Sequence, residues 1–190
     1  MQTIEALQVF WPAAVTGLIC SFLASLLIVA TKQWHGSFSM DQTTGVQKFH
    51  TVPTPRIGGI ALLAGFLGVW FALPHGYTKG TASLLTLILL GALPAFAAGL
   101  VEDFTKRVSV KARLLATAAS GLLAALITGY WVSSVDLPGI DLLLGLAPIG
   151  ILFTAFAVAG IANSVNIIDG FNGLASGVVI LMLLTLAAIA

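Results

Sequence analysis

Six apolar stretches, none carrying a charged side chain, divide the chain: 9–30, 57–73, 82–101, 114–132, 142–162 and 174–190. Crossing a bilayer takes about 20 apolar residues in helical form. Lipid offers no partner to an open strand edge, so each stretch is predicted to be a helix. The pattern therefore predicts an all-α, polytopic transmembrane helical bundle of six hydrophobic spans, forming a single domain over 1–190. The first stretch lacks a basic leader and is too long for a signal h-region, so it is read as a span rather than a cleaved signal.

Composition sharpens this reading. Of the 190 residues, 58% are apolar and only 8% charged, and the mean hydropathy is +1.06. A soluble domain of this size lacks the interior to hide so much apolar surface. The net charge of +1 gives no basic footprint for nucleic acid. The single Cys20 allows no internal disulfide.

The polar segments assign an orientation. Segments 31–56, 102–113 and 163–173 hold seven of the eight basic residues, and the opposite side holds only Lys79. Under the positive-inside rule these three segments face the cytoplasm and the N-terminus lies outside. Phe10, Trp11, Trp70, Phe71, Tyr130 and Trp131 then fall at the outer ends, where amphipathic rings prefer to sit. Small residues four apart (Ala95/Gly99, Gly121/Ala125, Gly173/Gly177) are read as close-packing faces between helices.

The chemistry is concentrated in those same three segments. The first carries Gln47-Lys48-Phe49-His50 and then Pro53-Thr54-Pro55-Arg56-Ile57-Gly58-Gly59. Lys48, His50 and Arg56 suit phosphate contacts, although a basic anchor beside a turn accounts for them equally well. The second holds Glu102-Asp103 where an apolar helix meets the polar boundary, followed by Lys106, Arg107, Lys111 and Arg113. Ionisable groups at that depth are costly and usually functional, and paired carboxylates are hard oxygen ligands that suit Mg²⁺. The plainer alternative is local i,i+4 pairing of Glu102 with Lys106 and Asp103 with Arg107. The third segment sets Asn163, Asn166 and Asp169 three residues apart, within about 120° of one helix face, with Asn172 and two glycines following. Such a strip suits a sugar, a nucleobase or a hydrated metal; polar glue between helices is the alternative.

Together these clusters resemble the polyprenyl-phosphate N-acetylhexosamine-1-phosphate transferase superfamily. The resemblance rests on Lys48 to Gly59, on the acid pair Glu102-Asp103, and on Asn163 through Leu174, which matches Asn-x-x-Asn-x-x-Asp-Gly-x-Asn/Asp-Gly-Leu in full. The form Gln-Lys-Phe-His…Pro-Arg-Ile-Gly-Gly looks more like the GlcNAc-type, O-antigen-initiating branch than the phospho-MurNAc-pentapeptide translocases. One departure is Glu102, where the family usually has Asp.

The resemblance implies transfer of an N-acetylhexosamine 1-phosphate from a UDP-sugar to undecaprenyl phosphate, with release of UMP, initiating a cell-envelope polysaccharide. It implies Mg²⁺, replaceable by Mn²⁺, and a multi-pass place in the bacterial inner membrane with a cytoplasmic active site. Its partners are UDP-N-acetylhexosamine, polyprenyl phosphate and the membrane, with no nucleic acid and with room for a homodimer. Asp103, Glu102 and Asp169 are the catalytic candidates, and Asp169 and Asp103 the metal candidates. Lys48, His50, Arg56, Lys111, Asn163, Asn166 and Asn172 are the substrate contacts. Family members run to about ten or eleven helices. The chain is therefore expected to be the N-terminal part of a longer enzyme and inactive by itself. A secondary transporter or a non-catalytic envelope-assembly subunit are the alternatives from other classes. Transporters gather polar groups near the midplane rather than at span ends.

Overall fold

The computed structural model describes residues 2–39, 54–73, 79–169 and 173–189, with backbone alone for 2–9, 37–39 and 79–82. The described residues form eight helices: α1 (Gln2–Ala30), α2 (Lys32–Ser39), α3 (Gly58–Ala72), α4 (Lys79–Thr105), α5 (Val110–Thr128), α6 (Ile140–Leu144), α7 (Ala147–Ile168) and α8 (Leu174–Ile189). The all-α expectation holds. α1 lies along α3, α4 along α5, and α5 along α7; α3 and α4 touch only slightly, and α8 meets α7 alone among the described residues.

The packing is that of a membrane protein. The buried side chains are mostly small, including Ala13, Ala61, Ala125, Ala155 and Ala159, while Leu, Ile and Phe crowd the exposed surface. Lipid is as apolar as leucine, so burying large side chains between helices gains little, whereas close backbone approach gains dispersion contacts. Glycines set these approaches. A Cβ at Gly91 of α4 would lie 2.7 Å from Ala124 Cβ, and one at Gly121 of α5 would lie 2.9 Å from Ala155 Cα. Gly121 and Ala125 are both buried, as their spacing suggested. A Cβ at Gly99 or Gly177 would meet nothing within 4 Å, so neither marks a close approach.

Among the described residues four helices, not six, have the length and composition to cross a membrane: Phe10–Ala30, Ser83–Thr105, Val110–Thr128 and Ala147–Ile168. The other two expected spans form shorter apolar helices, Gly58–Ala72 and Leu174–Ile189. At 1.5 Å per residue Gly58–Ala72, which ends at Leu73, reaches only about 23 Å, short of a hydrocarbon core of about 30 Å.

The helix ends moved for identifiable reasons. The fourth stretch stops at Thr128 because Gly129 adopts a left-handed cap (φ 73°) and returns its amide to Ala125. The fifth breaks into α6 and α7 around Gly145, and Pro148 in the first turn of α7 starts the second helix. The aromatic belt is also incomplete: the Trp131 ring packs on Gly150 and its indole N–H is buried without a hydrogen-bond partner.

Candidate active site

Three separated segments converge at one end of the bundle. Arg56 precedes α3, Glu102 and Asp103 lie in the last turn of α4, Arg113 lies in the first turns of α5, and Asn163 and Asn166 lie near the end of α7. All six line one cavity of about 240 Å³, floored by Ala95, Ala98 and Gly99. The small side chains at Ala95 and Ala98 and the lack of one at Gly99 leave room for the cavity.

Local sequence explains how the walls are held. Pro94 lies inside α4, which continues through it. It has no N–H, and its ring crowds the carbonyl four residues earlier. The next amide, Ala95 N–H, donates to Ser120 Oγ of α5 at 2.9 Å. Ser120 is 5% exposed and is the one buried polar residue among the described side chains. At the far end α4 stops at Thr105, with Lys106 in the left-handed region (φ 56°) and its amide on the Glu102 carbonyl at 2.7 Å. Ser109 then caps α5, its Oγ accepting from Ala112 N–H at 3.2 Å.

The charges oppose the helix dipoles. Two carboxylates sit at the negative C-terminal end of α4 and an arginine near the positive N-terminal end of α5, which neither helix favours alone. Cross-pairing compensates. Arg113 Nη1 lies 2.8 Å from Glu102 Oε1 and 3.0 Å from Oε2. Arg56 is looser, with Nη2 3.7 Å from Glu102 Oε1 and Nε 3.8 Å from Asp103 Oδ1. These acids thus engage arginines distant in sequence. For Asp103 and Arg107 the i,i+4 geometry is gone, because the helix ends between them.

The sequence-derived candidates distribute as follows. Arg56, Glu102, Asp103, Asn163 and Asn166 meet in the cavity. Asp169 is exposed at the C-cap of α7 and does not line it, because the helix ends at Ile168 and the strip loses its third member. Lys111 is exposed on the first turn of α5, outside the lining. Lys48, His50 and Asn172 lie outside the described residues. Sequence reasoning missed Arg113 as a site residue. Its signal was a polar stripe in an otherwise apolar helix: Arg113, Thr117 and Ser120 fall at i, i+4 and i+7 on one face. Lys111 lies about 160° away from Arg113 around the helix.

Whether Mg²⁺ fits is a question of donor chemistry. Among the described residues no three His, Cys, Asp or Glu side chains converge as a ligand set. Mg²⁺ does not need one, since it commonly takes one or two carboxylates and completes its shell with water and substrate phosphates. Asp103, Asn163 and Asn166 bring such oxygens to one cavity, and the residues fit.

The sequence matches the family described as Glycosyl transferase family 4 over residues 85–190. It is also similar to the phospho-N-acetylmuramoyl-pentapeptide-transferase of Deinococcus radiodurans, with 30% identity over 92% of this chain and 60% of that protein. The probable undecaprenyl-phosphate N-acetylglucosaminyl 1-phosphate transferase of Bacillus subtilis is 29% identical over 80% of this chain and 40% of that protein. The decaprenyl-phosphate N-acetylglucosaminephosphotransferase of Mycobacterium tuberculosis is 26% identical over 67% of this chain and 33% of that protein. No solved structure matches. Apolar helices with a charged cavity at one end suit a multi-pass membrane protein, and the chain belongs to glycosyl transferase family 4, the family of polyprenyl-phosphate sugar-1-phosphate transferases. It spans 60% or less of the length of these relatives.

Proposed function

We propose that the cavity is part of the site where an N-acetylhexosamine 1-phosphate passes from a UDP-sugar to a polyprenyl phosphate. A phosphate oxygen of the lipid attacks the β-phosphorus of the donor. The bond from that phosphorus to the bridging oxygen breaks, and UMP leaves with the bridging oxygen. Asp103 accepts the proton of the acceptor phosphate when that group is protonated, with Glu102 as the second acid of the pair. Arg56 offers a planar fork to phosphate oxygens, Lys48 and Lys111 add positive charge from the first and second segments, and His50 is a further phosphate contact. Asn163 and Asn166, with Asp169 and Asn172 following, hold the nucleotide end. Asp103, with Asn163 and Asn166 beside it in the cavity, would hold Mg²⁺, and Asp169, the other metal candidate, lies outside the lining. The metal, when bound, neutralises phosphate charge and aligns the two anions.

The observation that carries this reading is the meeting of three motifs, far apart in sequence, in one cavity. The GlcNAc-type donor is favoured by Gln47-Lys48-Phe49-His50 with Pro55-Arg56-Ile57-Gly58-Gly59. The site is assigned to the cytoplasmic face of the bacterial membrane by the seven-to-one distribution of basic residues.

The test is UMP release from UDP-GlcNAc and, in parallel, from the UDP-MurNAc-pentapeptide donor, with undecaprenyl phosphate and Mg²⁺. Release confined to UDP-GlcNAc supports the reading. Release confined to the pentapeptide donor overturns the branch, and no release from either by the full protein overturns the transferase.

A further inference from the structure

The acid pair is not symmetrical. Glu102 lies within hydrogen-bond reach of Arg113 through both its oxygens, whereas Asp103 faces Arg56 at 3.8 Å. The Glu102 side chain is also the less exposed, at 16% against 23%. Arg113 is fixed in turn. It lies in the first turns of a helix capped by Ser109, and its Nε is buried with no hydrogen-bond partner. A guanidinium with one buried N–H unsatisfied is kept there by the charge it neutralises rather than by its own solvation.

We infer that Arg113 is a positioning residue: its guanidinium holds Glu102 as an internal counterion, leaving Asp103 as the acid of the pair that is free to act. This rests on the proposed transferase site and deepens it. The extra methylene of Glu102 gives a physical reason for the division of labour. It lets the carboxylate reach across from α4 to α5, while the shorter Asp103 stays at the mouth beside Arg56. Arg113 stabilises the pair of adjacent acids by cancelling one of their two charges, and it ties the end of α4 to the start of α5. Removing Arg113 alone leaves two adjacent carboxylates with only the looser Arg56 as counterion. Removing both members of the pair leaves Asp103 with a neutral neighbour.

The charge logic makes the double variant the decisive one. Two readouts separate this inference from the function on which it rests. The first is labelling of the full protein in detergent with a hydrophobic carbodiimide, read by peptide mass. Asp103 is expected to label several-fold faster than Glu102, and Arg113→Gln brings Glu102 up to the rate of Asp103. This readout holds whether or not the protein is a transferase. The second is UMP release. Arg113→Gln lowers kcat by about a hundredfold, the scale of a misplaced reacting group. Arg113→Gln/Glu102→Gln recovers most of that loss, and Arg113→Lys recovers part of it with KM for the donor little changed. A merely structural role for Arg113 predicts the reverse, a double variant at least as impaired as the single one. Size-exclusion profiles identify any variant that fails to fold, and Glu102→Gln, which keeps an acceptor for Arg113, then decides: a loss below about tenfold supports the inference. Equal labelling of Glu102 and Asp103 in the unmodified protein overturns it, as does a double variant no better than Arg113→Gln.

Discussion

The amide of Ala95 on α4 donates to the hydroxyl of Ser120 on α5 at 2.9 Å, one residue beyond the proline inside α4. This bond fixes the floor of the cavity to the helix that carries Arg113. Ser120→Ala leaves the Ala95 amide without this acceptor in a buried setting, at a cost of about 1–3 kcal/mol. Thermal unfolding in detergent should show a lowered midpoint, with Ser120→Thr less affected than Ser120→Ala. A midpoint unchanged in Ser120→Ala would remove the bond from the account of α4.

Gly91 is a contact between helices, and Gly160 is open space. A Cβ at Gly91 would sit 2.7–2.8 Å from Ala124 Cβ and Cα, but one at Gly160 would meet nothing within 4 Å. Gly91→Val should separate α4 from α5 and destabilise by about 1–3 kcal/mol. Gly160→Ala should be neutral or stabilising, because alanine is the better helix former. Comparable losses at the two positions would contradict the packing.

Asp141 lies outside the spans. Its carboxylate accepts from Val135 N–H at 2.8 Å and from Ser134 Oγ at 3.0 Å. The Val135 amide, first among these donors, holds its pKa below the ordinary carboxylate value. A depressed folded pKa means that the ordering of the 134–141 loop is full above the unfolded value of about 3.9 and fades as pH falls through the folded one. The ¹³C carboxyl shift of Asp141 should therefore titrate with a midpoint below about 3.9. Ser134→Ala should raise that midpoint part of the way, and a midpoint above the ordinary value would exclude these hydrogen bonds in solution.

The positive-inside distribution predicts that Gly45, Thr105 and Phe171 share the cytoplasmic face. Reporter fusions at the three positions should all read cytoplasm. One reading from the opposite side would separate the motifs and dismantle the proposed site.

Asp103→Asn keeps the shape of the side chain and removes its charge. In the full enzyme it should cut UMP release by more than about a hundredfold, the scale of a lost general base, without preventing membrane insertion. Turnover near normal in this variant would take Asp103 out of the reaction.

Much of this molecule was legible from polarity alone, because a bilayer forces backbone groups to pair within one helix. The helix boundaries were not. Gly129, Gly145 and Pro148 end or start helices inside stretches whose hydropathy never falters. Residue type and spacing singled out Arg56, Glu102, Asp103, Asn163 and Asn166, and these five line one cavity. Their partners were not legible, since Arg113 was one of several basic residues in a row. What distinguished it was the face it shares with Thr117 and Ser120, and only packing reveals which face turns inward. Asp169 looked like a third rung of a strip because periodicity assumes that the helix continues. The helix stops one residue short of it.

The turn between α4 and α5 is only four residues long, from Lys106 to Ser109. The acid pair and Arg113 thus belong to a single helical hairpin, and the partners Glu102 and Arg113 are only 11 residues apart in sequence. Closing so short a loop costs little entropy and is fast. The Glu102–Arg113 part of the charged wall is therefore internal to the hairpin, whereas Arg56, Asn163 and Asn166 join the cavity only when the segments before α3 and along α7 pack against it.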